Sequence, residues 1–338
     1  MKKDVKETSK SPAEPVQITP NVGDFGSTIS TGSTLLDLTI SGGRTRKGGI
    51  PGGILLEIYG PSSSGKTAII SEMSASVQSQ KGEIKFLDPE ARLDQEYTKV
   101  YGVKLSEGKN YFMPETVSDV MEHIEKWEPA DPKKMNMIGT DSIAALCSRM
   151  QMNDTDKTGQ AAAKEFSQGL RKVCVQIRKS NWIIAFTNQI RHGQGGETTP
   201  GGFAVPFYAS LRMRIGPPAT DKYITKETTI NGVKTKRILG VRSVVKITKS
   251  SIDDPFRMTD VNIVFGYGVD DVRGNLQFCK QYMEGNAFDC FDKTFRRIDV
   301  AIDHIESNNL QEDLKERTIN LWHEVQDSLK VIRVLKKR

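Results

Sequence analysis

Cysteine and histidine are scarce in this sequence, with four of each among 338 residues. Cys147, Cys174, Cys279 and Cys290 lie far apart and form no C-x-x-C pair. They read as reduced thiols rather than as a disulfide framework. His123, His192, His304 and His323 are scattered with no second ligand at metal spacing, which argues against a structural zinc or haem site. Long apolar runs are missing too. The longest, Trp182–Phe186, is far short of the roughly 20 residues a bilayer-spanning helix needs. The opening MKKDVKETSK is charged and lacks the apolar stretch of a secretion signal. Nor is the charge one-sided: 48 Lys+Arg face 42 Asp+Glu, a net +6, and 37% of residues are apolar. That excludes a wholly disordered chain. A soluble intracellular protein of about two domains with a sizeable core is expected.

Residues 1–27 carry Pro12, Pro15 and Pro20 without apolar periodicity, the texture of a flexible arm. From Ile29 onward, apolar strands alternate with amphipathic helices. Strands are expected at Ile54–Tyr59, Glu83–Asp88, Asn136–Asp141 and Trp182–Gln189. Helices are expected at Thr67–Gln80, at Val117–Trp127 and around Phe166–Ile177. Such alternation implies βαβ crossovers, a mainly parallel sheet and helices on both faces. Further on, Leu211, Met213 and Ile215 alternate with Arg212 and Arg214, and Asn231-Gly232 signals a tight hairpin. Val244–Thr248 and Val261–Phe265 continue this texture, so antiparallel strands should extend the sheet. Phe288–Arg338 returns to helical spacing through Leu314, Ile319, Trp322, Val325 and Leu329. The expected division is an arm at 1–27, an α/β core at 28–275 and a small helical domain at 276–338.

The sharpest chemical signal is Gly60, Pro61, Ser62, Ser63, Ser64, Gly65, Lys66 and Thr67, a full G-x-x-x-x-G-K-[ST] phosphate loop between a predicted strand and a predicted helix. Its glycines let backbone N–H groups curl around phosphate oxygens, and the helix N-terminus adds partial positive charge. Lys66 would reach the β/γ-phosphates, and the Thr67 hydroxyl would complete Mg²⁺ coordination. Asp141, ending the strand MNMIGTD, is placed to serve the Mg²⁺ partly through water, or simply to cap the next helix. Glu90 lies beyond the carboxyl end of the strand after the loop helix, where ligands gather in open α/β sheets. By spacing alone it either orients a water or is a solvated loop acid. Gln189 ends an apolar strand, where an amide can sense a γ-phosphate while the following loop moves.

Charge adds a second theme. Residues 205–249 hold ten Lys/Arg and two acids, a net +8, and Lys164–His192 adds a net +5. The Gly-rich loop Arg191–Gly202 joins them. Such segments suit a polyanion backbone, with affinity from counterion release, or else form a solvated face.

These residues together resemble the RecA family of recombinases from Ile29 to about Asn275. The resemblance runs through Ile29–Asp37, Leu56–Thr67, Phe86–Asp94, Asp141–Leu146, Thr187–Arg191, Glu197–Gly202 and Phe207–Ser210. It implies a RecA-like P-loop ATPase core using ATP and Mg²⁺. Lys66, Glu90 and Gln189 would be catalytic, Glu90 by activating water and Gln189 by sensing the γ-phosphate. Asp94 and Tyr97 would hold the adenine, Phe265-Gly266 would close the base pocket, and Asp141-Ser142 would face the phosphates. Lys249 would reach a neighbour's ATP. Arg149–Gln160 and Arg191–Gly202 match two DNA-binding loops, and Lys164, Arg171, Arg191, Gly201 and Gly202 would meet DNA.

The resemblance further implies a helical filament on single-stranded DNA that pairs with double-stranded DNA, in a bacterial cytoplasm or a phage-infected cell. It points to a loader or single-strand-binding protein as an accessory partner and to no membrane. Departures mark a divergent member. Ser251 and Pro206 replace family lysines, Phe203 replaces a polar residue, the second DNA loop is short, and Lys330–Arg338 holds five basic residues and no acid. Two rival readings remain: a DNA-stimulated ATPase that acts as repair accessory or loader without strand exchange, and a DNA-coating module that scarcely hydrolyses ATP.

Overall fold

Along Trp182–Gln189, alternate side chains supply two different apolar clusters: Ile183 and Ala185 join one, Ile184 and Phe186 the other. A strand buried on both faces belongs at the centre of a parallel sheet covered by helices on each side. The computed structural model describes residues 25–152, 160–177, 181–193, 196–283 and 285–331. Within them, ten strands make one sheet. They are β1 (Ile54–Gly60), β2 (Ile84–Leu87), β3 (Tyr111–Phe112), β4 (Asn136–Thr140), β5 (Trp182–Gln189), β6 (Leu211–Gly216), β7 (Tyr223–Ile230), β8 (Val233–Ser250), β9 (Met258–Val264) and β10 (Gly268–Val269).

The order is β10-β9-β8-β6-β1-β5-β4-β2-β3, with β7 hydrogen-bonded to β8. Pairing is parallel from β6 through β1 to β3 and antiparallel among β6, β8, β9, β10 and β7. This is the expected α/β architecture, a mainly parallel sheet extended by antiparallel strands.

One face of the sheet carries α1 (Thr34–Ser41), α2 (Lys66–Ser79) and α3 (Gln95–Tyr101). The other carries α4 (Val117–Glu125), α5 (Gln160–Ile177) and α6 (Ala204–Tyr208). In α4, Val117, Val120, Met121 and Ile124 form the buried stripe that their spacing foretold, and a capping box at Thr116 and Asp119 fixes the start. After the sheet come α7 (Asp271–Gln281), α8 (Ile298–Ser307) and α9 (Gln311–Ser328), which share an apolar cluster of their own. A smaller cluster of Leu35, Leu38, Ile319 and Trp322 fastens α9 to α1. None of the described helices is long and apolar enough to cross a membrane.

Three local expectations change. Phe288–Asp289 is not helical but pairs with Thr294–Phe295 across a turn in which Phe291 takes φ +74°, and helix resumes only at Ile298. Leu329 continues the α9 period by one step too many: the helix stops at Ser328, and Leu329 is 72% exposed. The Gly-rich stretch after Gln189 contains a two-stranded hairpin, Arg191–Gly193 with Gly196–Thr198, rather than an open loop. Residues 1–24 of the expected arm, 153–159 of the first DNA loop and 332–338 of the basic tail lie outside the described residues.

Candidate nucleotide site and nucleic-acid face

β1 ends at Gly60 hard against β6. A Cβ there would lie 1.9 Å from the Ile215 carbonyl oxygen, so only glycine lets the two strands meet. Gly65 opens α2 with φ +97°, and a Cβ there would strike Ile263 at 2.1 Å. Between them the chain curls so that the first-turn N–H groups of α2, which have no helical partner, face the loop. With the helix dipole behind them they form a cradle for an anion. Lys66 is buried in this cradle. Its Nζ donates to the carbonyls of Gly60 at 3.0 Å and Pro61 at 2.7 Å. Burial pulls its pKa below the usual lysine value, against the attraction of Asp141 and Glu90. An ammonium folded onto its own loop's neutral carbonyls fits a polyphosphate chain, whose charged oxygens make stronger acceptors.

Asp141, just past β4, receives hydrogen bonds from the hydroxyls of Thr187 and Thr67. Burial holds its pKa above the usual carboxylate range, and nearby Asp88 adds to this. The Thr67 hydroxyl and Asp141 carboxylate are hard oxygen donors suited to Mg²⁺. Among the described residues no group of three or more His, Cys, Asp or Glu could hold a metal alone. A cation here would rely on phosphate oxygens and water for its remaining ligands. Across the cleft, Glu90 pairs with Arg92 at 2.7 Å, and Gln189 Nε2 approaches Glu90 Oε1 at 3.5 Å. The loop bearing Glu90 is fixed from below by buried Asp88, which accepts from the Arg92 and Leu93 amides and the Tyr111 hydroxyl.

These groups line a cavity of about 550 Å³, within the size range of small-molecule sites. Part of the lining is apolar and aromatic: Tyr97 and Tyr101, with ring centroids 4.9 Å apart, together with Ile263, Val264 and Phe265. Such a lining suits a flat aromatic base.

The RecA N-terminal domain family model matches residues 21–270. The chain is 35% identical to Protein RecA of Delftia acidovorans over 248 residues, covering 71% of this chain and 62% of that relative. It is 35% identical to Protein RecA of Staphylococcus aureus (strain JH9) over 260 residues, covering 74% and 68%. The chain belongs to the RecA family.

In this RecA-family chain the cavity gathers Ser62, Ser63, Ser64, Gly65, Lys66, Thr67, Glu90, Tyr97, Asp141, Ser142, Gln189, Phe265 and Gly266. Gly60 and Pro61 contribute the carbonyls that hold Lys66. Two of the expected residues lie outside this lining, Lys249 having been expected at a neighbour's ATP. Asp94 caps α3, accepting the Tyr97 amide at 2.6 Å, and does not line the cavity. Lys249 lies outside the cavity on β8, where its Nζ donates to the Pro206 and Phe207 carbonyls at 2.9 and 2.8 Å. Arg92 and Tyr101 line the cavity although the sequence reading gave them no role. Tyr101 was findable, four residues after Tyr97 on one helical face.

Lys164 and Arg171 are exposed on α5, and Arg191 is exposed at the start of the small hairpin. Gly201 and Gly202, both at positive φ, rest on α5: a Cβ would meet Phe166 at 3.4 Å and Ala163 at 3.3 Å. A buried network ties this face to the cleft. Asn188 donates from Nδ2 to Glu57 Oε1 at 2.9 Å and to the Pro200 carbonyl at 3.0 Å. Arg212 Nε donates to Glu57 Oε2 at 2.6 Å.

Proposed function

We propose that the protein is an ATP-dependent DNA recombinase that assembles as a helical filament on single-stranded DNA and pairs it with homologous duplex in recombination and repair. What supports this most directly is the continuity of one strand. Gln189 reaches Glu90 in the cleft, Asn188 beside it holds Pro200, and the segment after them lies on the helix bearing Lys164 and Arg171. In this reading Lys66 grips the terminal phosphates of ATP, Thr67 and Asp141 hold Mg²⁺, and Tyr97 with Phe265-Gly266 encloses the base. Bound Mg²⁺ supplies charge neutralisation on the phosphate oxygens. Glu90 orients water and takes its proton, a role for a carboxylate within hydrogen-bond reach of the reacting group. Gln189 transmits the nucleotide state to Arg191, Gly201 and Gly202, which with Lys164 and Arg171 clasp the strand. Residues 28–275 would form the ATPase core and 276–338 a helical domain, with α7 (Asp271–Gln281) crossing that division, and protomers would repeat head to tail in an open helix, working in the cytoplasm.

A second reading, an accessory ATPase or loader that exchanges no strands, is favoured by one observation. Lys249 is engaged by carbonyls of its own chain, and Ser251 and Pro206 offer no cation beside it. A joint-molecule assay with ATP, single-stranded DNA and homologous duplex decides between them. Joint molecules support the recombinase. DNA-stimulated ATP turnover without them supports the accessory role.

A further inference from the structure

β8 is eighteen residues long, but only its second part lies in the sheet. β9 pairs with Gly240–Lys246 and β6 with Val244–Ser250, whereas Val233–Ile238 pairs with β7 alone. Every residue from Thr225 to Ile238 is exposed. The hairpin projects from the body by roughly 20 Å, at about 3.4 Å per residue. Its two-residue turn, Asn231-Gly232 with φ +51° and +81°, is the type that keeps a free ribbon evenly twisted.

The side chains of this ribbon are sorted by face and by height. On one face Lys226 stands opposite Arg237, Thr228 opposite Thr235, and Ile230 opposite Val233. The shaft is therefore cationic, the middle hydroxylic and the tip apolar, with Ile230 and Val233 59% and 64% exposed. Like charges directly opposite across a strand pair destabilise it. The other face relieves only one of its cations, through Glu227 and Lys236 at 3.3 Å. Among the described residues, Lys226, Lys234 and Arg237 form no ion pair. A ribbon that keeps uncompensated positive charge along its shaft and an apolar end has the charge of a partner for a polyanion. It also has the shape of a groove binder, because two-stranded ribbons enter the grooves of DNA, and apolar wedges inserted between base steps from the minor groove are a recurring way to grip and unstack a duplex.

We infer that the hairpin Tyr223–Val241 is a duplex-DNA arm. Lys226, Lys234 and Arg237 contact the phosphates, and Ile230 and Val233 enter between base steps. The inference rests on the recombinase reading for the source of the duplex, which would be the homologous partner brought to the filament.

The test is fluorescence anisotropy of the full chain on a blunt duplex and on a single strand across a salt series. The triple variant Lys226→Thr, Lys234→Thr, Arg237→Thr keeps strand-forming residues on an exposed hairpin. It should reduce the duplex salt slope by roughly two to three while leaving the single-strand slope unchanged, given about 0.9 per phosphate contact. The exchange Lys226→Arg with Arg237→Lys should keep the full slope. An unchanged duplex slope in the triple variant overturns the arm, and so does an equal loss on both substrates. A duplex carrying 2-aminopurine should brighten on binding to the wild type and not to Ile230→Ser with Val233→Ser, and brightening with both removes the tip from the proposal. Arm-dependent duplex binding by a wild type that forms no joint molecules would sink the recombinase reading and leave the arm standing.

Discussion

The side-chain amide of Asn188 donates to the Pro200 carbonyl at 3.0 Å and to Glu57 at 2.9 Å, so one residue beside Gln189 holds both the floor of the sheet and the start of the glycine turn. Asn188→Ala should leave Glu57 short of a donor and the turn untethered. A buried partner left unsatisfied costs about 1–3 kcal/mol. The expected outcome is a lowered denaturation midpoint, with nucleotide binding kept and DNA stimulation of ATP turnover lost.

Arg212 stands in the same network, 17% exposed against a fully buried Glu57. Arg212→Ala strands that carboxylate and should destabilise by about 3–5 kcal/mol. Arg212→Met together with Glu57→Gln should recover much of the loss. Denaturant titration of the three proteins checks this, and equal destabilisation by the single and double variants would count against the pairing.

Lys66→Ala removes the cation held on the Gly60 and Pro61 carbonyls of the phosphate loop. ATP turnover should fall by about 10²–10³, the scale for losing one donor aimed at developing charge, while the fold persists. Wild-type turnover in this variant would refute the site.

Replacing Lys164 and Arg171 together by alanine should flatten the salt dependence of single-strand binding by about 1.4 in slope, at about 0.7 per contact. An unchanged slope would place the strand elsewhere.

Asp37 carries a pH prediction. Burial pushes its carboxyl up to about 7, against hydrogen bonds donated by Ser30 and Thr31 and with added repulsion from Asp271. The unfolded chain gives up this proton near pH 4, while the folded chain keeps it to about 7. Over that window the folded state binds more protons, so this group lowers stability as pH rises from about 4 to 7. Asp37→Asn should flatten that part of the stability curve, measured as denaturant midpoint against pH.

The parallel half of the sheet was legible because β5 opens on a continuous apolar run, β1 is apolar apart from Glu57, both are buried on both faces, and the phosphate loop follows β1. The β7–β8 turn was legible because Asn-Gly suits two successive positive φ values. Helix α1 was not, for the opposite reason to most misses: all eight of its residues are buried, so no polar face betrays a period. At the start of α3, Asp94 was read as an adenine contact and caps the helix in the structure; an Asp before a short helix serves either purpose. The Glu57–Asn188–Arg212 network joins positions more than a hundred residues apart, and no local pattern announces it. Nor does spacing show that Lys249 meets carbonyls some forty residues upstream.

The ribbon that ends in Asn231-Gly232 shares its longer strand with the body of the sheet, without an intervening linker. Where it leaves the sheet, Ile224 pairs with Gly240 and Thr225 with Ile238, so Leu239 is an extra residue and the strand bends there. That bend, rather than a linker, would set the angle at which the arm offers a bound partner to the cleft.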